Sequence, residues 1–142
     1  MDQEDVEFDV HDTAVVVLVG EDSNDLILIR SRRSGLWRFP GDRIRDEDFE
    51  TSGNDMAPEN TLMRIVRKRT GLVLKARDIR RVTQMNRSFG ALYGYAGLAD
   101  FKEFAPLDPE NERILSLSEI PSLTMRPEQR KVFDTVISWI RS

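Results

Sequence analysis

Two sets of residues in this chain have the chemistry to meet a charged ligand. Cations gather as Arg30, Arg32, Arg33 and Arg38 before residue 40, and as Arg64, Arg67, Lys68 and Arg69 some thirty residues later. Guanidinium groups offer planar forks of donors that match phosphate oxygens and need no metal. Carboxylates fill the interval between the two groups: Asp42, Asp46, Glu47, Asp48, Glu50, Asp55 and Glu59. Clustered carboxylates supply the hard oxygen ligands that Mg2+ or Mn2+ prefers. Other chemistries find little support. His11 is the single histidine and lies in a polar stretch, so it is expected to be exposed. No Gly-x-Ser-x-Gly elbow occurs. The absence of cysteine excludes a disulfide framework, a Cys-based zinc site and a thiol nucleophile together.

The elements that must position these groups are read from patterning. Residues 13–19 (TAVVVLV) form a β-branched run ended by Gly20, and 26–30 (LILIR) a second, which predicts an antiparallel hairpin. Residues 36–39 give a short strand ended by Pro40-Gly41, a strong turn signal. Residues 42–59 carry apolar side chains without a period, so a loop is expected. Leu62, Ile65 and Val66 recur at helical spacing with Pro58 before and Gly71 after, which predicts a helix over 59–70. Strands are expected at 73–74, 81–85, 92–101 and 113–115. Pro127 opens a last helix whose apolar stripe is Val132, Phe133, Val136, Ile137 and Ile140.

Strands, helix, strands and helix in that order define a mixed α+β domain with helices packed on a sheet. Residues 1–12 are expected to be a polar segment and 13–142 a single domain. The 142 residues suffice for a core, and the net charge of −4 speaks against wholesale nucleic-acid coating while leaving room for a local basic patch. The start of the chain has no secretory pattern and no apolar run is long enough for a membrane span, so a cytoplasmic protein is expected.

The stretch GLWRFPGDRIRDED followed by ENTLMRIVRKRTGL resembles the signature segment of the Nudix hydrolases. Gly41 and Glu47 stand at the family's spacing, as do Arg64, Val66, Gly71 and Leu72 among themselves. Between Glu47 and Arg64 lie sixteen residues where the family has seven. The resemblance covers about 13–140 and implies the Nudix fold, an α+β architecture with a mixed β-sheet sandwiched between helices. It also implies a divalent-metal-dependent pyrophosphohydrolase whose helix carries three metal-binding glutamates.

In this chain Ile65, Lys68 and Arg69 occupy those glutamate positions. Two like unit charges about 4 Å apart repel by about 4 kcal/mol at an effective dielectric near 20, so a dication beside Lys68 and Arg69 is strongly disfavoured. The expected function is therefore a non-hydrolysing binder of a nucleotide-like or phosphate-bearing ligand, or of a protein or RNA partner. Trp37, Arg38, Arg64, Lys68 and Arg69 are the candidate ligand-binding residues. Phe89, Tyr93 and Tyr95 are further aromatics that could stack on a base.

Two alternatives stay open. In one, the chain hydrolyses its ligand with Mg2+ or Mn2+ held by acids of the enlarged interval. Glu47 is then the catalytic or metal-binding candidate, with Glu103, Glu110 or Glu112 as weaker recruits. In the other, the domain is a structural or interaction subunit, with homodimerisation among its options. The resemblance further implies an ion pair between Glu47 and Arg64.

Overall fold

The computed structural model describes residues 11–52 and 56–141. Residues 1–10, the Glu50 side chain and Asp55 lie outside the described residues, and with them most of the expected N-terminal segment and two of the candidate acids.

The most apolar run of the sequence forms the central strand. Strand β1 (Thr13–Gly20) is followed by β2 (Asp25–Arg30), β3 (Trp37–Arg38) and β4 (Gly41–Arg43). Helices α1 (Asp46–Ser52) and α2 (Ala57–Thr70) come next, then β5 (Ile79–Arg87), β6 (Gly90–Ala99), β7 (Glu112–Ser116) and helix α3 (Pro127–Arg141). The main path of the sheet runs β3-β2-β1-β6-β5, with β7 added to β2 and β4 to β1. β1 runs parallel to β6 from Thr13↔Leu92 to Gly20↔Ala99. Its other edge is divided: β2 joins at Val19↔Leu26, and β4 joins at Thr13↔Arg43, Ala14↔Asp42 and Val15↔Gly41. The remaining pairs are antiparallel.

The two-residue period of β1 sends its side chains into two separate cores. Ala14, Val16 and Leu18 pack with Leu62, Ile65 and Val66 of α2. Val15 and Val17 pack with Val132, Phe133 and Val136 of α3. A strand buried on both faces reads as a continuous apolar run, which is why TAVVVLV shows no alternation. Complete burial of each Val or Leu contributes about 1.5–3 kcal/mol. The mixed sheet between helices expected from the sequence is the architecture observed.

Three local expectations are corrected. Residues 42–59 are not a loop throughout: β4 and α1 form there, and α2 begins at Ala57. Residues 73–74 are not a strand, because the chain leaves α2 through an irregular segment that buries Leu72 and Leu74 under the sheet. The strand expected to reach residue 101 stops at Ala99, and Phe101 opens a short 3-10 turn. Among the described residues no helix is long and apolar enough to cross a membrane.

Two glycines are required by geometry. Gly71 adopts φ +75° and its N–H bonds to the Arg67 carbonyl, ending α2 in the left-handed conformation that glycine reaches most easily. At Gly41, where β4 crosses β1, an added Cβ would lie 2.4 Å from the Ala14 carbonyl oxygen and 3.0 Å from Val15 Cα. Both obstacles are backbone, so neither can turn aside. Gly41→Ala is expected to lower stability by about 1–3 kcal/mol in urea unfolding, and an unchanged midpoint would show that β4 can shift at no cost.

Candidate functional site

The enlarged interval between the two halves of the signature has a structural use. Asp48, only 3% exposed, accepts on one carboxylate oxygen from the Arg45 backbone N–H (2.9 Å), Thr61 Oγ1 (2.8 Å) and Arg64 Nη2 (2.9 Å). Its other oxygen accepts from Arg64 Nε at 3.0 Å, completing a two-pronged pair. Arg64 Nη1 donates to Asp42 at 3.0 Å, and Nη2 reaches the Arg43 carbonyl at 3.4 Å. One guanidinium thus joins α2 to the start of α1 and to β4. The expected Glu47–Arg64 pair is replaced by Asp48–Arg64, one residue later. The register moves because α1 turns Asp48, and not Glu47, toward the start of α2.

Burial alone would raise the Asp48 pKa. The bonds from Arg64, the Arg45 N–H and Thr61 outweigh it and hold the carboxyl below its usual range. The Asp48 bonds raise Arg64 in turn. Glu59 is also engaged: Tyr95 Oη donates to it at 2.8 Å, and Arg81 Nε donates to Tyr95 Oη at 3.0 Å.

The three positions that match the family's glutamates part company. Ile65 is 8% exposed and belongs to the core beneath α2, and Lys68 is exposed. Arg69 pairs with the fully buried Glu112 of β7. The second oxygen of Glu112 accepts from the Asp108 N–H at 2.6 Å. The donor set therefore does not fit a divalent metal: an aliphatic points into the core, one cation faces water, and the other guanidinium already holds the acid on β7. Among the described residues no group of three or more His, Asp or Glu is arranged to hold a metal ion.

The arginines converge instead on a cavity of about 590 Å³. Arg30 and Arg32 reach it from the end of β2 and the loop beyond, Trp37 and Arg38 from β3, Arg69 from the end of α2, and Arg126 and Gln129 from the start of α3. Arg30 lies 5.1 Å from the Trp37 ring centroid and donates to Asn111 Oδ1 (3.0 Å) and the Glu110 carbonyl (3.2 Å). Arg32 pairs with Asp108 at 2.8 Å. Arg38 makes one long bond, 3.4 Å, to the Gly41 carbonyl. Burial and then the nearby Arg69 hold the Arg38 pKa below its ordinary value, with Asp42 and Glu112 opposing. Among the described residues this half-buried guanidinium has no carboxylate ion pair, so it can still pair with an anion.

The candidate residues are therefore divided. Trp37, Arg38 and Arg69 share the arginine-lined cavity, whereas Arg64 and Glu47 line a separate cleft of about 330 Å³ beside α2. Lys68 lines neither. Tyr95 is buried, Tyr93 stacks under Arg81 and Phe89 under Arg87, so Trp37 alone of the four aromatics reaches the cavity. His11 is half-buried beside Phe89, with Nδ1 3.2 Å from Arg43, and not exposed as expected. Patterning does not reveal Arg126, Gln129 or the role of Glu112. Each meets the site only through the fold, from segments distant in sequence.

Neither a family model nor a curated protein matches the chain. Solved structures do. A MutT structure of Aliivibrio salmonicida or Vibrio cholerae origin is 11% identical, with a TM-score of 0.72, and the match covers 91% of this chain and 98% of that one. The NUDIX domain of Shewanella oneidensis NrtR, solved with ADP ribose, is 16% identical with a TM-score of 0.70, covering 99% and 94%. A chain in the complex of the mouse MUTYH C-terminal domain with human PCNA is 18% identical with a TM-score of 0.66, covering 93% and 90%. At these identities the likeness is one of fold, and the chain has the Nudix fold.

The depressed Asp48 pKa has a consequence for stability. A carboxylate held below its unfolded value stabilises the fold fully above about pH 4, and that contribution disappears as pH falls through the folded-state pKa. Asp48→Asn is expected to cost about 2–3 kcal/mol at pH 7. The difference from wild type should shrink as unfolding is measured toward about pH 3. A gap that stays constant with pH would rule out the charged pair as its source.

Proposed function

We propose that this protein is a member of the Nudix hydrolase family that binds a nucleotide-like or phosphate-bearing ligand without hydrolysing it and without a divalent metal. The observation that carries this reading is the convergence of Arg30, Arg32, Arg38, Arg69 and Arg126 on one cavity beside Trp37. Its volume lies within the range of small-molecule sites, about 300–1,000 Å³. Arg38 is the anchor, since its guanidinium has no carboxylate partner among the described residues and gains most from a phosphate. Arg30 and Trp37 offer a stacked cationic and aromatic wall for a base or sugar. Arg69, already paired with Glu112, lines the cavity at a place where the family resemblance implies a metal. That the NrtR domain was solved with ADP ribose makes ADP-ribose a reasonable first probe.

The competing reading, metal-dependent hydrolysis by acids of the interval, must do without Asp42, Asp48 and Glu59, which hold Arg64 and Tyr95. Phosphate release from a nucleotide panel that Glu47→Gln abolishes would establish it. A macromolecular partner, protein or RNA, is the remaining reading. It gains if no small ligand binds.

Calorimetric titration with ADP-ribose, NAD and nucleoside di- and triphosphates tests the proposal. At least one ligand should bind in the micromolar range, with an affinity that Mg2+ or EDTA alters by less than about twofold. Arg38→Gln should weaken it by about tenfold or more, the loss of one charge-assisted bond. Binding that appears only with Mg2+ would contradict the metal-free reading.

A further inference from the structure

The five arginines of the cavity are not equally available. Carboxylates meet two of them, and the two pairs differ in kind. Glu112 is fully buried and is held by Arg69 and by the Asp108 N–H, so it belongs to the framework. The Asp108 carboxylate instead stands at the cavity wall, and its partner Arg32 is 77% exposed. Exposed ion pairs of this kind are weak.

The loop that carries Asp108 does not depend on Arg32 for its shape. The Leu107 N–H bonds to the Arg69 carbonyl at 3.0 Å, and the Asn111 and Glu112 N–H groups both bond to the Asp108 carbonyl at 2.9 Å. Asn111 Nδ2 additionally donates to the Asp108 carboxylate at 2.9 Å. Arg32 can therefore leave Asp108 while the loop stays in place. The Asn111 and Arg32 bonds keep the Asp108 pKa below the usual carboxylate range, so the acid is charged at neutral pH.

We propose that Asp108 is a built-in competitor for the ligand: it occupies Arg32 in the free protein, and a phosphate group takes Arg32 from it on binding. This rests on the anion-binding reading above. A terminal phosphate near neutral pH carries about −1.5 to −2 charge and three acceptor oxygens, more than a carboxylate offers. The exchange thus favours phosphate, at an affinity lower than an unopposed Arg32 would give. Asp108 tunes specificity because an incoming carboxylate gains nothing by the same exchange.

The test is a double-mutant cycle of Asp108→Asn and Arg32→Gln, read by calorimetric titration with ADP. Work at about 0.3 M salt screens the general field and leaves short contacts. Asp108→Asn should tighten ADP binding by about fivefold in the presence of Arg32 and by less than about twofold on Arg32→Gln. Asp108→Ser, which also removes the charge, should reproduce the gain, and melting curves verify that each variant is folded. Equal gains with and without Arg32, or no gain at all, would overturn the proposal while leaving anion binding intact. Failure of the four proteins of the cycle to bind ADP or any ligand of the nucleotide panel would instead remove the anion-binding reading, and this inference with it.

Discussion

The guanidinium of Arg64 is the fixed point of this structure. It ties the first turn of α1, the strand β4 and the middle of α2 through Asp48, Asp42 and the Arg43 carbonyl. A guanidinium has enough donors in a rigid plane to satisfy all three at once. The constraint also sets the course of α2 over the sheet, with Ile65 and Val66 beneath it and Arg69 at its far end against β7. At that end Arg69 meets Glu112 and lines the cavity.

This frame carries an exchange of charges. The Nudix fold is retained, while the helix positions that the family resemblance assigns to metal ligands carry an aliphatic and two cations. One of the new cations is neutralised by a buried acid, and four further arginines from three other segments face the same space. In the proposed reading the acids of this region serve packing, and its cations line the cavity.

Much of the frame is legible in the sequence. TAVVVLV marks the doubly buried strand, Gly71 the end of the helix, and GLWRFPG the turn onto β4. The positions at 65, 68 and 69 stand out because their chemistry contradicts the motif around them. Other features are hidden for physical reasons. The short helix α1 is acidic and lacks an apolar period, being held by Asp48 and Asn60 contacts and not by propensity. Asp48 cannot be told from Glu47 by spacing, since the identity of the partner depends on how α1 turns. Arg126 and Gln129 join the cavity, and Glu112 meets Arg69, from far along the chain, and no local pattern reports such convergence. Even the shared helical face of Ile65, Lys68 and Arg69 misleads, because one helix edge here spans core, cavity and solvent.

In the reading proposed here, this cavity holds phosphate through guanidinium groups where relatives of the fold are expected to use a metal. Crystals soaked with Mn2+ and ADP-ribose, with data collected at the manganese edge, address that point. Phosphate oxygens should lie within hydrogen-bond reach of Arg38 and its neighbours, with no anomalous peak beside α2. A manganese peak between the ligand and Glu47, with the phosphates drawn toward it, would show that a metal and not the arginines holds the ligand.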